Sequence, residues 1–151
     1  MSIPKNCPLT EKEIHKMIKV AKETRKNAFS HRSMHKIASI LTIDDKIFGC
    51  NVESAISLGT CAERCAVDNA VSHQYDFKAV CAVDSHFTPV CGACLQYILL
   101  FSQVSNQEVW IINADIKNYE IRSLTELLPE YRTKSNLESI RSYSKIKRKK
   151  K

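Results

Sequence analysis

The sequence predicts an α/β sandwich, a β-sheet covered by helices. Three observations carry that expectation. An amphipathic helical pattern opens the chain, a hairpin-like pair of short β-rich runs follows, and helical and β-rich stretches then alternate. A length of 151 residues suits one ordinary domain, and 44% hydrophobic residues build a core without disulfides.

Each element has its own signal. Residues 10–27 begin T-E-K-E, so Thr10 and Glu13 have capping-box spacing. Ile14, Met17, Ile18 and Ala21 follow as an apolar stripe at helical intervals. Residues 36–42, K-I-A-S-I-L-T, read as a strand, Asp44-Asp45 as a turn, and K-I-F-G-C-N-V as the second hairpin arm. A second helix is expected to open at Thr60 and run through C-A-E-R-C-A-V-D-N-A-V-S. Residues 77–83, F-K-A-V-C-A-V, have the character of a buried strand. A third helix is expected from Cys91 through Phe101, a strand over 108–114, and a short helix, S-L-T-E-L-L, stopped at Pro129. The pattern leaves the order of strands in the sheet open.

Composition narrows the function classes. No run of about 18 apolar residues exists, which excludes a membrane-spanning helix. The opening M-S-I-P-K-N-C-P lacks the apolar segment of a secretory signal, so a cytoplasmic location is expected. In a reducing compartment seven cysteines are thiols or metal ligands, and an odd number cannot all pair within one chain. The formal charge of +7 is concentrated at the end. The run K-I-K-R-K-K-K from Lys145 carries six basic residues and leaves +1 for the rest. We therefore expect a catalytic domain over 1–134 and a basic tail over 135–151. Such a tail is most simply a solvated end; nucleic-acid binding through it is the alternative.

The chemistry concentrates in T-C-A-E-R-C-A-V, residues 60–67, and in C-G-A-C, residues 91–94. Zinc needs about four ligands, and a catalytic site leaves one for water. Cys91 and Cys94 have the spacing to reach one ion from a helix start, and Cys61 at another helix start supplies a third sulfur. Helix N-termini favour anionic thiolates. Three thiolates outweigh the charge of zinc (Zn2+), and Arg64 is the adjacent compensating cation. Glu63, two residues past Cys61, sits beside the metal without ligating it, as a proton shuttle requires. Two simpler readings compete. T-x-x-E is a capping signature, and C-x-x-C also occurs in structural zinc or redox sites, with Cys65 as a fourth ligand.

C-A-E followed by C-G-A-C closely resembles the zinc-dependent cytidine deaminases of the small homotetrameric nucleoside type. G-C-N-V-E-S-A at 49–55, L-G-T-C-A-E-R, A-V-S-H-Q-Y-D-F-K-A-V and E-L-L-P extend the resemblance over roughly residues 10–131. It implies a three-layer α/β/α sandwich with a mixed sheet, and a homotetramer. It also implies hydrolysis of cytidine or deoxycytidine to the uridine counterpart and ammonia in pyrimidine salvage. Cys61, Cys91 and Cys94 would hold zinc. Glu63 would move protons to ring N3 and the departing amino group, and the Ala62 amide would bind the pyrimidine carbonyl. Asn51 and Glu53, two apart on a predicted strand, would bind the ribose 3′-hydroxyl.

The chain departs from the family pattern in three places. Pro89-Val90 precedes Cys91 where the family has Ser-Pro, and Leu95 follows Cys94 where it has Arg. His35 stands where an aromatic residue of the family flanks the nucleoside, and imidazole still stacks but adds a titratable group; it reads equally as a surface histidine at the start of a strand. Tyr131 reads equally as an aromatic reaching a neighbouring subunit's base or as packing on its own helix. These changes leave room for a different small substrate, as in the related blasticidin S deaminases. A nucleic-acid editor using the basic tail is a further alternative.

Overall fold

The computed structural model describes residues 3–40, 48–54, 58–105 and 107–129. The Asp44-Asp45 turn, Tyr131 and the basic tail lie outside them.

Helix α1 (Glu11–Thr24) begins at a complete capping box: the Thr10 hydroxyl accepts from the Glu13 amide, and the Glu13 carboxylate accepts from the Thr10 amide. A 3₁₀ turn (Arg25–Asn27) ends it. The predicted stripe of Ile14, Met17, Ile18 and Ala21 is buried. Strands β1 (Ala38–Ile40) and β2 (Phe48–Cys50) pair antiparallel as the hairpin pattern requires. Helix α2 (Ala62–Ser72), strand β3 (Ala79–Val83), helix α3 (Gly92–Ser105) and strand β4 (Trp110–Ala114) follow in the expected alternation. Strand β5 (Tyr119–Ser123) was not anticipated; it pairs antiparallel with β4 and leads into the short helix α4 (Leu124–Leu127).

The sheet order is β2-β1-β3-β4-β5. Only the β3–β4 pair is parallel, with α3 as the crossover, so the sheet is mixed. Alternation along β3 divides the core. Ala79, Cys81 and Val83 pack with Trp110 and Ile112 against α1, while Val80, Ala82 and Ile111 pack against α2, α3 and Leu124 of α4. The result is the three-layer α/β/α sandwich. β2 lies so close to α2 that a Cβ added at Gly49 would come within 2.5 Å of the Ala66 nitrogen and 2.6 Å of the Ala62 oxygen. Gly49 therefore sets how closely the start of α2 approaches the sheet.

Candidate active site

The starts of α2 and α3 converge. Helix α2 opens one residue later than expected, because both backbone groups of Thr60 are committed to Val52 in a β-bridge. Cys61 is therefore the N-cap, in extended conformation with its carbonyl accepting from the Cys65 amide. The expected Thr60 cap does not form: its hydroxyl contacts the Cys61 carbonyl oxygen at 3.5 Å, and no side chain caps α2. At the other helix the Cys91 carbonyl accepts from the Leu95 amide, so Cys91 stands immediately before α3, with Cys94 in its first turn.

The sulfurs of Cys61, Cys91 and Cys94 lie within 4.8 Å of one another. Two zinc–sulfur bonds of about 2.3 Å span nearly that distance. Cys65 is not in this group, and among the described residues no fourth protein ligand joins it. Glu63 lies beside the sulfurs, only 5% exposed. Burial raises its pKa, against hydrogen bonds from its own amide and the Cys94 thiol and the nearby charge of Arg64. Burial also pushes the Cys61 and Cys94 thiols up, and the charge of Glu63 adds to both shifts. At Cys91 burial acts in the same direction, but hydrogen bonds from the Cys94 amide and thiol outweigh it and the pKa falls. The charge of Glu63 opposes ionisation of all three thiols at one point. A dication relieves that conflict, so the donor set fits zinc.

Cys61 and Glu63 line a cavity of about 100 Å³ with Asp84, Thr88, Pro89 and Cys91. A larger cavity of about 640 Å³, also bordered by Cys61 and Ile37, is lined by His35, Asn51, Glu53 and Thr60. That size suits a small-molecule ligand. Asn51 Nδ2 donates to the His35 carbonyl at 2.8 Å, and Asn51 Oδ1 accepts from the Ile37 amide at 2.8 Å. The Glu53 carboxylate accepts from the Arg32 amide at 2.7 Å, the Ser33 amide and the Ser33 hydroxyl. His35 Nε2 is 3.1 Å from Asp84 Oδ2.

Comparison with known proteins gives the fold a family. No protein-family model matches the chain. A solved cytidine deaminase from Burkholderia pseudomallei matches with a TM-score of 0.71 and 30% identity, over 82% of this chain and 100% of that one. The chain belongs to the cytidine deaminase family. The Mycobacterium tuberculosis cytidine deaminase matches at 25% identity and TM-score 0.65, over 79% of this chain and 96% of that one. The Mycobacterium leprae enzyme, at 24% identity and TM-score 0.61 over 77% and 97%, shares the fold.

Within this cytidine deaminase fold the remaining candidates fall as follows. Ala62 is the first residue of α2, where backbone N–H groups have no intrahelical acceptor. The Arg64 guanidinium lies 5.9 Å from the Tyr97 ring centre, and its charge favours the anionic forms of Cys61 and Glu63. Leu95 is buried in the core between α3 and the sheet. Val90 is held by Asn113, whose Oδ1 accepts from its amide at 3.1 Å.

Sequence reasoning missed Asn113 and Asp84. Asp84 directly follows β3 and lines the small cavity with Cys61 and Cys91, and Asn113, the penultimate residue of β4, holds the Val90 amide just before Cys91. Their position beyond and at the carboxyl ends of two parallel strands, where α/β sheets bind ligands, was the available signal.

Proposed function

We propose that the protein hydrolyses cytidine and deoxycytidine to uridine and deoxyuridine with release of ammonia. The observation that carries this reading is the convergence of three sulfurs and one buried carboxyl on the starts of two helices. Cys61, Cys91 and Cys94 hold zinc, which when bound supplies Lewis-acid activation of water. Glu63 carries both protons: it accepts one from the attacking water and gives it to ring N3 as C4 is attacked, then takes the second from the new C4 hydroxyl and gives it to the amino nitrogen, which departs as ammonia and leaves the C4 carbonyl. Its near-complete burial keeps that proton away from bulk solvent. The Ala62 amide donates to the pyrimidine carbonyl.

The sugar occupies the larger cavity. Asn51 and Glu53 both line it, and a carboxylate offers about four acceptor positions, so Glu53 has capacity for the 3′-hydroxyl beyond its loop contacts. His35 borders the same cavity and flanks the nucleoside. Arg64 offsets the excess negative charge at the sulfurs. The catalytic domain spans 1–134, and 135–151 is a separate basic tail.

A cytoplasmic homotetramer fits the remaining features. All seven cysteines are free thiols, and among the described residues no helix is long and apolar enough to cross a membrane. Phe29, Met34 and Leu58 expose most of their apolar surface, which subunit contacts would bury.

The test is a turnover assay on cytidine, deoxycytidine, cytosine and blasticidin S, with zinc measured on the same sample. Turnover of the first two with about one zinc per chain is expected. Turnover of blasticidin S alone, or of none with zinc present, overturns the substrate assignment.

A further inference from the structure

A second cluster of metal-ligating side chains lies beside the cysteine site. Ligand atoms of His35, Asp84 and His86 all fall within 4.8 Å of one another. The three come from two separate segments. His35 follows Met34, which has a left-handed backbone (φ 59°), and His86 precedes Phe87, which has the same conformation (φ 58°). Both turns direct an imidazole toward one carboxylate. The Asp84 side chain is 3% exposed and rigidly held: Oδ1 accepts from the His86 amide at 2.9 Å, and Oδ2 accepts from the Thr88 amide at 3.1 Å. Such orienting bonds are what ligating carboxylates carry. The imidazole rings stack with centres 5.5 Å apart and planes 22° apart.

An ion pair accounts for the 3.1 Å separation of His35 and Asp84, and the amide hydrogen bond to Asp84 brings His86 near, with Nδ1 2.8 Å from the Ser85 hydroxyl, but these contacts leave the other ring nitrogen of His86 without a role in the cluster. A shared ion accounts for all three. Two donors each about 2.0–2.1 Å from a tetrahedral zinc-like ion lie roughly 3.3 Å apart. Two imidazoles and one carboxylate suit zinc, cobalt or nickel better than calcium or magnesium.

We propose that His35, Asp84 and His86 form a second divalent-metal site, distinct from the cysteine site and selective for imidazole-preferring ions. His35 borders the large cavity and Asp84 the small one, so the ion sits on the rim between them. It staples the 31–37 segment, which carries the Asn51 and Glu53 contacts, to the loop after β3. The inference is independent of the deaminase reading, since it depends only on these three side chains.

The experiment adds Co2+ to full-length protein prepared with one zinc per chain, any second zinc having been removed by a mild chelator, and measures both metals after gel filtration, with an absorption spectrum. One further cobalt per chain is expected, with zinc retained and with ligand-field bands but no thiolate-to-cobalt charge transfer. His86→Ala is exposed at the surface and leaves the fold intact; it is expected to weaken cobalt binding at least about tenfold. His35→Phe and Asp84→Asn are expected to do the same, the asparagine keeping an acceptor for the turn amides. His15, His31 and His73 are the rival surface ligands, and the variants separate them. No cobalt uptake, uptake only with loss of zinc, or uptake undiminished in all three variants overturns the site.

Discussion

The chain contains the same four-residue signature twice, T-E-K-E at 10–13 and T-C-A-E at 60–63, and the two behave oppositely. At α1 the Glu13 carboxylate returns to the Thr10 amide at 2.6 Å, exposed to solvent, with its pKa lowered by that bond and by the Thr10 hydroxyl. At α2 the β-bridge to Val52 holds Thr60 as extended chain, so the helix starts one residue later. Glu63 then occupies the second helical position and not the third. It cannot fold back as a cap, and it is buried beside the cysteines with its pKa raised by desolvation. A shift of one residue in where a helix begins converts a stabilising carboxylate into one available for chemistry.

The sharpest way to break this comparison is to neutralise each carboxylate in turn. Glu63→Gln is expected to lower kcat by about 10²–10⁴-fold, the usual contribution of a positioned proton carrier. Zinc content should hold, and the melting temperature should stay level or rise, because a buried charge-bearing group is removed. Glu13→Gln is expected to leave kcat unchanged. Equal losses at both positions, or full turnover in the Glu63 variant, would erase the distinction.

The second prediction concerns what sets the register of α2. Gly49→Ala places a methyl against the backbone of Ala62 and Ala66, neither of which is a flexible side-chain end. We expect about 1–3 kcal/mol of destabilisation from this overpacking. Activity should fall more than stability explains, because the displaced helix start carries Cys61 and Glu63. Chemical denaturation and kcat on the folded variant measure the two effects separately. A variant with lost stability and intact kcat would show that β2 does not position the site.

The same contrast explains what was legible in the sequence. The stripe on α1 was visible because 3.6-residue periodicity and a cap agreed. Strands β3 and β4 were visible as short apolar runs. β5 was not, since Tyr119–Ser123 offers only Y-E-I-R-S, an edge strand whose Glu120 and Arg122 pair with each other. Its signal was the turn before it, where Asp115 Oδ1 accepts from the Lys117 and Asn118 amides at 2.6 Å. The sheet order was not legible, because placing β1 between β2 and β3 depends on pairing between distant segments. At the candidate site, Cys61, Glu63, Cys91 and Cys94 were readable from short spacings. Asp84 and Asn113 reach it only through the fold, and in sequence each is one polar residue at a strand end. The Thr60 cap failed as an expectation for a tertiary reason, a bridge partner eight residues upstream.

The smallest expected effect lies at the exposed member of the pair. Thr10→Ala removes the N-cap acceptor for the Glu13 amide and should cost about 1 kcal/mol, with kcat unchanged. Glu13→Gln should cost only a few tenths of a kcal/mol, because solvent screens so exposed a carboxylate. The pH dependence gives this small term a signature. Folding lowers the Glu13 pKa, so the folded state favours the ionised form. Its contribution is therefore complete above the unfolded value of about 4.3 and is lost as pH falls through the lower folded value. The gap in melting temperature between the parent chain and Glu13→Gln should be present at neutral pH and close as pH drops below about 4. A gap that persists into acid would mean that Glu13 acts through packing and not through its charge, and the electrostatic half of the comparison would fail.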